Sequence, residues 1–301
     1  MTDKTVVLAG ATGDLGGRIA RALLARGATV RALARPGAAP DTVARLRGFG
    51  AEVATADYGD AAALRRACAG AACVVSALSG LREVIVDAQT RLLEAAVGAG
   101  VPRFIPSDFA IDFTKLPPGS NRNLDLRREF KQRLDGAPIA ATSILCGAFM
   151  DMLTGVAPFI LFKRRRVLVW QNADQRMDFT TKDDTAAFTA AAALDPSTPR
   201  ILRIAGDTLS ANDLAALMTD VSGQRYRLLR AGRLGLLRVL IRIARTVAPQ
   251  PGEVYPPWQG MQYMHDMFSG RGELHPLDNG RYPELRWTTA RDVLAAHVGS
   301  R

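Results

Sequence analysis

The sequence has little lysine and little cysteine, and each scarcity bears on a class of function. Only Lys4, Lys115, Lys131, Lys163 and Lys182 represent lysine, although the net charge is +10. Arginine therefore carries nearly all of the positive charge. It is spread along the chain rather than gathered into a basic tail, which argues for a compositional bias and against a nucleic-acid partner. Three cysteines, Cys68, Cys73 and Cys146, show no CxxC spacing, and an odd number does not close a disulfide framework. They read as small core residues in a reducing compartment, and the expected location is cytoplasmic. No apolar run reaches the ~20 residues that span a bilayer, so no membrane partner is expected. The apolar start, residues 5–10, is too short for a leader and runs straight into a glycine motif. His265 and His275 lie near Asp266 and Glu273 without a ligand spacing, so no metal is expected.

What is present is a substantial core and a repeated pattern. Apolar residues make up 48% and charged residues 23% of the 301, an ordinary globular balance. Short β-branched runs at residues 5–9, 29–35, 51–56, 72–78 and 103–106 read as buried strands. Helical spacing at 17–26, 42–48, 60–69 and 81–98 fills the gaps between them. Such alternation predicts a parallel sheet covered on both faces. A loop then spans 108–123, a helix 124–134 and a sixth strand 139–146. Two strand-then-helix stretches follow at 167–194 and 201–221. The helix Leu234–Val247 comes next, with Arg238, Arg242 and Arg245 on one face and Leu237, Leu240, Ile241 and Ala244 opposite. Residues 255–286 show no clear period, and a last helix at 288–297 begins with Thr288 or Thr289 as its cap. The expected class is α/β, a Rossmann-type doubly wound parallel sheet with a smaller C-terminal α/β substrate lobe. Residues 1–147 would bind the cofactor, with strands returning from about 167–205, and 148–301 would supply most of the substrate lobe.

The chemistry-bearing motif is Gly10-Ala11-Thr12-Gly13-Asp14-Leu15-Gly16. It follows a strand and opens a helix, the context that a dinucleotide fingerprint needs. Gly10 permits the tight turn, Gly13 lets the backbone approach a pyrophosphate, and Gly16 lets helix and strand pack closely. The helix N-terminus then faces the phosphates. The second strand ends Leu33-Ala34-Arg35-Pro36, without the acid that binds a ribose 2′-hydroxyl. Arg35 therefore favours the 2′-phosphate of NADP(H). Asp57 could meet the adenine or serve a turn. Ala77, Leu78 and Ser79 at the end of the fourth strand, and Ser107 after the fifth, fall at the sheet edge where such folds place ligands.

The glycine motif resembles that of the atypical short-chain dehydrogenase/reductases. No tyrosine here has a lysine four residues on, so the usual catalytic pair of short-chain dehydrogenases is absent. Gly100-Val101-Pro102-Arg103-Phe104-Ile105-Pro106-Ser107-Asp108-Phe109 resembles a segment of the NmrA-like and isoflavone-reductase-like branch. Gly147-Ala148-Phe149-Met150 and Met177-Asp178-Phe179-Thr180 also fit it. The resemblance implies an NADPH-dependent reductase of a small apolar, aromatic or conjugated substrate, or an NADP-sensing regulator that binds a protein partner. In the reductases a lysine on the helix after the fifth strand gives a proton or positions the nicotinamide. Its counterpart is Lys131, although the link to the sixth strand differs from the family's, so the lysine could be displaced by a residue or a full turn. Asp108, Phe109, Phe149, Met150 and Met152 are the expected substrate wall. The reductase reading predicts Lys131 pointing into an apolar pocket. The sensor reading predicts it turned away, with an exposed partner surface such as the arginine-bearing helix. Monomer and homodimer both stay open.

Overall fold

A computed structural model describes residues 4–299. The βα units form as the periodicity predicts. Strand β1 (Thr5–Ala9) leads into α1 (Asp14–Ala25), then β2 (Thr29–Ala34), α2 (Pro40–Gly48), β3 (Glu52–Thr55), α3 (Ala61–Cys68) and β4 (Cys73–Ser76). After β4 come α4 (Gln89–Gly98), β5 (Arg103–Ile105), α5 (Arg122–Asp135) and β6 (Ala140–Ala141). The six strands lie in the order β3-β2-β1-β4-β5-β6, and every pair is parallel. That order reverses direction at β1, and the glycine turn leaves the sheet at this switch point, where open sheets bind ligands. β1 and β4 are wholly buried because helices cover both faces of the sheet. One apolar layer joins Leu8, Ile19, Leu23 and Phe188, and the other joins Val7, Leu64, Phe104 and Phe130.

Three sequence expectations need correction. The helix at 81–98 opens as a π-helix, Glu83–Ala88, and becomes α only from Gln89. The wider turn presents the Gln89 side chain, whose Oε1 accepts from the Ser107 N–H at 2.9 Å and so pins the end of β5. The sixth strand is not continuous. β6 pairs with β5, Thr142 donates its N–H to Phe104, and β7 (Ser143–Leu145) then pairs in parallel with a strand that returns later. The segment without a clear period contains a twelve-residue helix, Pro257–Phe268. Its buried face carries Gln259, Gln262 and Asp266 beside Trp258 and Met264, so hydrophobicity does not report its period.

The second half builds its own core. β8 (Ala148–Phe149), β9 (Ile160–Leu161), β10 (Arg166–Trp170) and β11 (Met177–Thr180) precede α6 (Lys182–Leu194). Then follow β12 (Ile201–Arg203), the partner of β7, β13 (Asp207–Leu209), α7 (Ala211–Ser222), β14 (Arg227–Gly232), α8 (Leu234–Val247), α9 (Pro257–Phe268) and α10 (Ala290–Gly299). Thr289 caps α10 by accepting from Asp292 N–H. Phe159, Phe179 and Phe268 centre this core, and Phe113, Leu116 and Leu124 from the long connection and α5 enter it. Cys68, Cys73 and Cys146 are free and buried, and burial pushes the Cys146 thiol up to about 12. Among the described residues no helix is long and apolar enough to cross a membrane. Phe104 is fully buried with its ring 6.0 Å from that of Phe130, which ties β5 to α5. Phe104→Ala is expected to cost about 3–5 kcal/mol, read as a lowered denaturant midpoint with an unchanged m-value.

Candidate dinucleotide and substrate site

Packing within the chain demands glycine at two of the three positions of the motif. Gly10 has φ +79°, and a Cβ there would lie 2.5 Å from the Ala77 carbonyl oxygen. A Cβ on Gly16 would lie 2.1 Å from the Gly10 carbonyl oxygen, so α1 packs on β1 only with glycine there. Gly13 is different. It is exposed, its φ is −81°, and a Cβ would meet nothing closer than 3.4 Å. Packing within the chain does not demand glycine at 13, whereas a ligand lying against the backbone does. Gly13 is also the N-cap of α1, whose first-turn N–H groups face the turn.

An acid at the start of α1 would repel a phosphate. Asp14 accepts from Arg18 Nε at 2.8 Å and Lys182 Nζ at 3.0 Å, and these hydrogen bonds hold its carboxyl below the usual range. Lys182 also reaches Asp151 at 2.6 Å and lies over the Phe149 ring. Leu15 packs half-buried into the core layer beneath.

Beside the turn lies a cleft of about 330 Å³, lined by Gly10, Thr12, Arg35, Tyr58 and Leu78 and by the turn that leads into α2. Arg35 is exposed there, as a residue meant for a 2′-phosphate must be. Tyr58 was not legible in the sequence, because it lines the cleft from a loop without a motif. Asp57 instead serves a turn, its Oδ1 accepting from Gly59 N–H at 2.8 Å. Ala77 braces Gly10, and Ser79 is exposed at the strand end. The Ser107 hydroxyl donates to the Leu78 carbonyl at 2.6 Å and so ties the ends of β4 and β5 together. These residues fit a dinucleotide.

The expected substrate residues do not form one wall. Phe109 and Phe149 share the core layer under the glycine turn, whereas Met150 and Met152 belong to the core of the second half, where Met150 is buried. Asp108 is wholly buried, accepts from the Ser143 hydroxyl at 2.6 Å, and leaves Oδ1 without a partner. Desolvation raises its pKa against the pull of the Ser143 hydrogen bond and of Arg127, Arg200 and Lys131.

Lys131 is not where the reductase expectation needs it. Its Nζ lies 2.5 Å from Asp135 Oδ2, and Asp135 is also bound by Arg200. The inward cation is Arg127, one turn nearer the start of α5, on the buried stripe with Leu124, Phe130 and Leu134. The guanidinium donates to the Asn123 carbonyl at 3.1 Å, and its Nε has no partner. Burial works against its charge, but Tyr263, Tyr255 and Asp108 outweigh that and raise its pKa. Helix α9 closes over this end of α5 through a polar seam. Gln259 donates to Asn121 Oδ1 at 2.6 Å, Asn121 donates to Asp266 at 3.0 Å, and Arg122 N–H donates to Gln262 at 3.2 Å. Desolvation pushes the Tyr263 phenol up to about 12. Sequence reading missed Arg127 because only its setting on the helix separates it from the other arginines.

The topology, the switch-point turn and the arginine-bearing cleft define a Rossmann-type dinucleotide-binding protein. Comparison with known proteins carries this further: residues 2–273 match the model of the NmrA-like family, and the chain belongs to that family. Pinoresinol reductase 1 of Arabidopsis thaliana is 33% identical over 65% of this chain and 67% of its own length. The bifunctional pinoresinol-lariciresinol reductase 2 of Thuja plicata is 26% identical over 97% of this chain and 98% of its own. Among solved structures, AtPrR2 with NADP+ and (+)pinoresinol superposes with a TM-score of 0.82 at 22% identity, covering 98% of this chain and 99% of the other. The leucoanthocyanidin reductase–NADPH complex of Vitis vinifera gives 0.80 at 21%, with the same coverage.

One prediction concerns Asp108. A folded-state pKa raised above the unfolded 3.8 means that this group costs stability as pH rises past 3.8. Asp108→Asn should therefore melt higher than wild type at neutral pH, and the gap should close as pH falls toward 3.8. Equal melting temperatures across that range would contradict the assignment.

Proposed function

We propose that the protein is an NADPH-dependent reductase of a small aromatic or conjugated carbonyl compound, quinone-like or enone-like. The observation that carries this is Arg35 beside the glycine turn, in a chain whose family relatives include pinoresinol reductases. NADPH, when bound, supplies the hydride. Gly10, Thr12, Gly13 and the start of α1 would hold its phosphates, and Arg35 its 2′-phosphate. The chain up to residue 147 would carry this half of the site, and the part from 148 onward would supply most of the substrate lobe. The substrate would meet the cofactor near the C-terminal edge of β5, where open sheets place their ligands and where the buried end of α5 faces the α9 seam. Lys131 would have to leave Asp135 before it could donate a proton, so it is not assigned that role.

A second reading has its own support. On α8, Leu236, Val239, Leu240, Ile243 and Val247 are exposed. Such a face fits an NADP-sensing protein that binds a partner.

A fluorescence titration with NADPH and NADH, followed by a quinone and enone panel, separates the two. The reductase reading expects tight NADPH binding with turnover, and the sensor reading tight binding with no oxidation of NADPH. Arg35→Ala should weaken NADPH by about ten- to a hundredfold, the worth of a charge-assisted contact, and leave NADH unchanged. An equal loss for both cofactors would mean that Arg35 does not read the 2′-phosphate.

A further inference from the structure

The most unusual group in this molecule is the Arg127 guanidinium. It is more than nine-tenths buried, and its Nε is aimed at no acceptor. A buried donor left unpaired costs free energy, more when it is charged. Asp108 acts on its charge from a distance but forms no ion pair with it. The carboxyl instead takes the Ser143 hydroxyl and leaves its own Oδ1 unpaired. Two buried polar groups of opposite preference, one on α5 and one just after β5, thus each keep an open hydrogen-bonding position. An exposed Tyr255 and a half-buried Tyr263 complete the surroundings on the α9 side.

We propose that Arg127 holds the oxyanion of the substrate: it receives a carbonyl or phenolic oxygen conjugated to the carbon that accepts hydride, and so selects substrates that present one. The proposal rests on the reductase reading and names its substrate class. When hydride adds to a quinone or enone carbon, the displaced π pair moves to the conjugated oxygen, and NADPH becomes NADP+. Arg127 donates to the resulting enolate or phenolate, and water supplies the proton that completes the reduction. A guanidinium keeps its protons throughout the working pH range, so this residue stabilises charge and does not donate a proton. Preorganised donors of this kind act most strongly where water is excluded, which the α5–α9 seam provides. Alkenes without a conjugated oxygen would give Arg127 nothing to hold and are expected to remain unreduced.

The test uses 4-nitrophenol, whose phenolate absorbs visibly, titrated with pH against the full-length protein with and without NADP+. The titratable and charged groups around Arg127 are Tyr255 and Tyr263 from the α9 side, Asp108 after β5 and Cys146 after β7, with Lys131 and Arg200 acting on Asp108. The bound phenol should ionise about one to three units below its free value, as beside a fixed cation. Arg127→Met should abolish that shift and weaken phenolate binding by about ten- to a hundredfold. Arg127→Lys should restore the shift near neutrality and lose it as the lysine itself deprotonates. An unshifted phenol on the wild-type protein overturns the proposal whether or not the variants fold. So does a loss seen in Lys131→Met but not in Arg127→Met. Failure to bind NADP(H) would count against the reductase reading alone, because the phenol titration is read without cofactor as well.

Discussion

The site depends on how α5 is set against its neighbours. This helix belongs to both halves of the molecule: Phe130 and Leu134 pack into the layer beneath the parallel sheet, and Leu124 enters the core of the second half. Its N-terminus is fastened by Asn121, which caps Leu124 N–H, accepts from Gln259 and donates to Asp266. The cap and the two packed faces together set the rotation of α5. Arg127 is thereby committed to the interior, while Lys131, about 6 Å further along the axis, meets Asp135.

The seam between α5 and α9 is polar, and that choice has a cost and a consequence. Apolar residues at Asn121, Gln259 and Asp266 would bury more cheaply. The polar set, however, specifies one register of the two helices, since a one-turn slip would leave several of these groups unpaired. The same seam holds the Arg127 guanidinium in one place beside it.

At the other end of the site, the balance of charge around the glycine turn is equally specific. Arg18 and Lys182 neutralise Asp14, so that the first turn of α1 keeps its positive end for an anion. Lys182 comes from α6 and Asp151 from the stretch after β8, so the second half of the chain helps set the electrostatics of a turn made by the first. The turn and the second half are thus built as one site.

The sequence by itself determined the parallel sheet, the glycine turn and the arginine at the end of β2. These are local: a period of two or 3.6, a residue that must have no side chain, and a strand end without an acid are all written in adjacent residues. It also determined α8 to the residue, but not that one apolar stripe would face outward, because two apolar stripes on one helix look alike until something packs against one. α9 was hidden because polar residues carry its buried face. Asp57, Met150 and Lys131 carry the right chemistry at nearly the right place, and local bonding or packing engages each elsewhere. Only the tertiary structure decided which cation of α5 is buried. That choice depends on contacts from α9 and from the ends of β5 and β7, far away in the chain, which combine to fix one helix at one rotation.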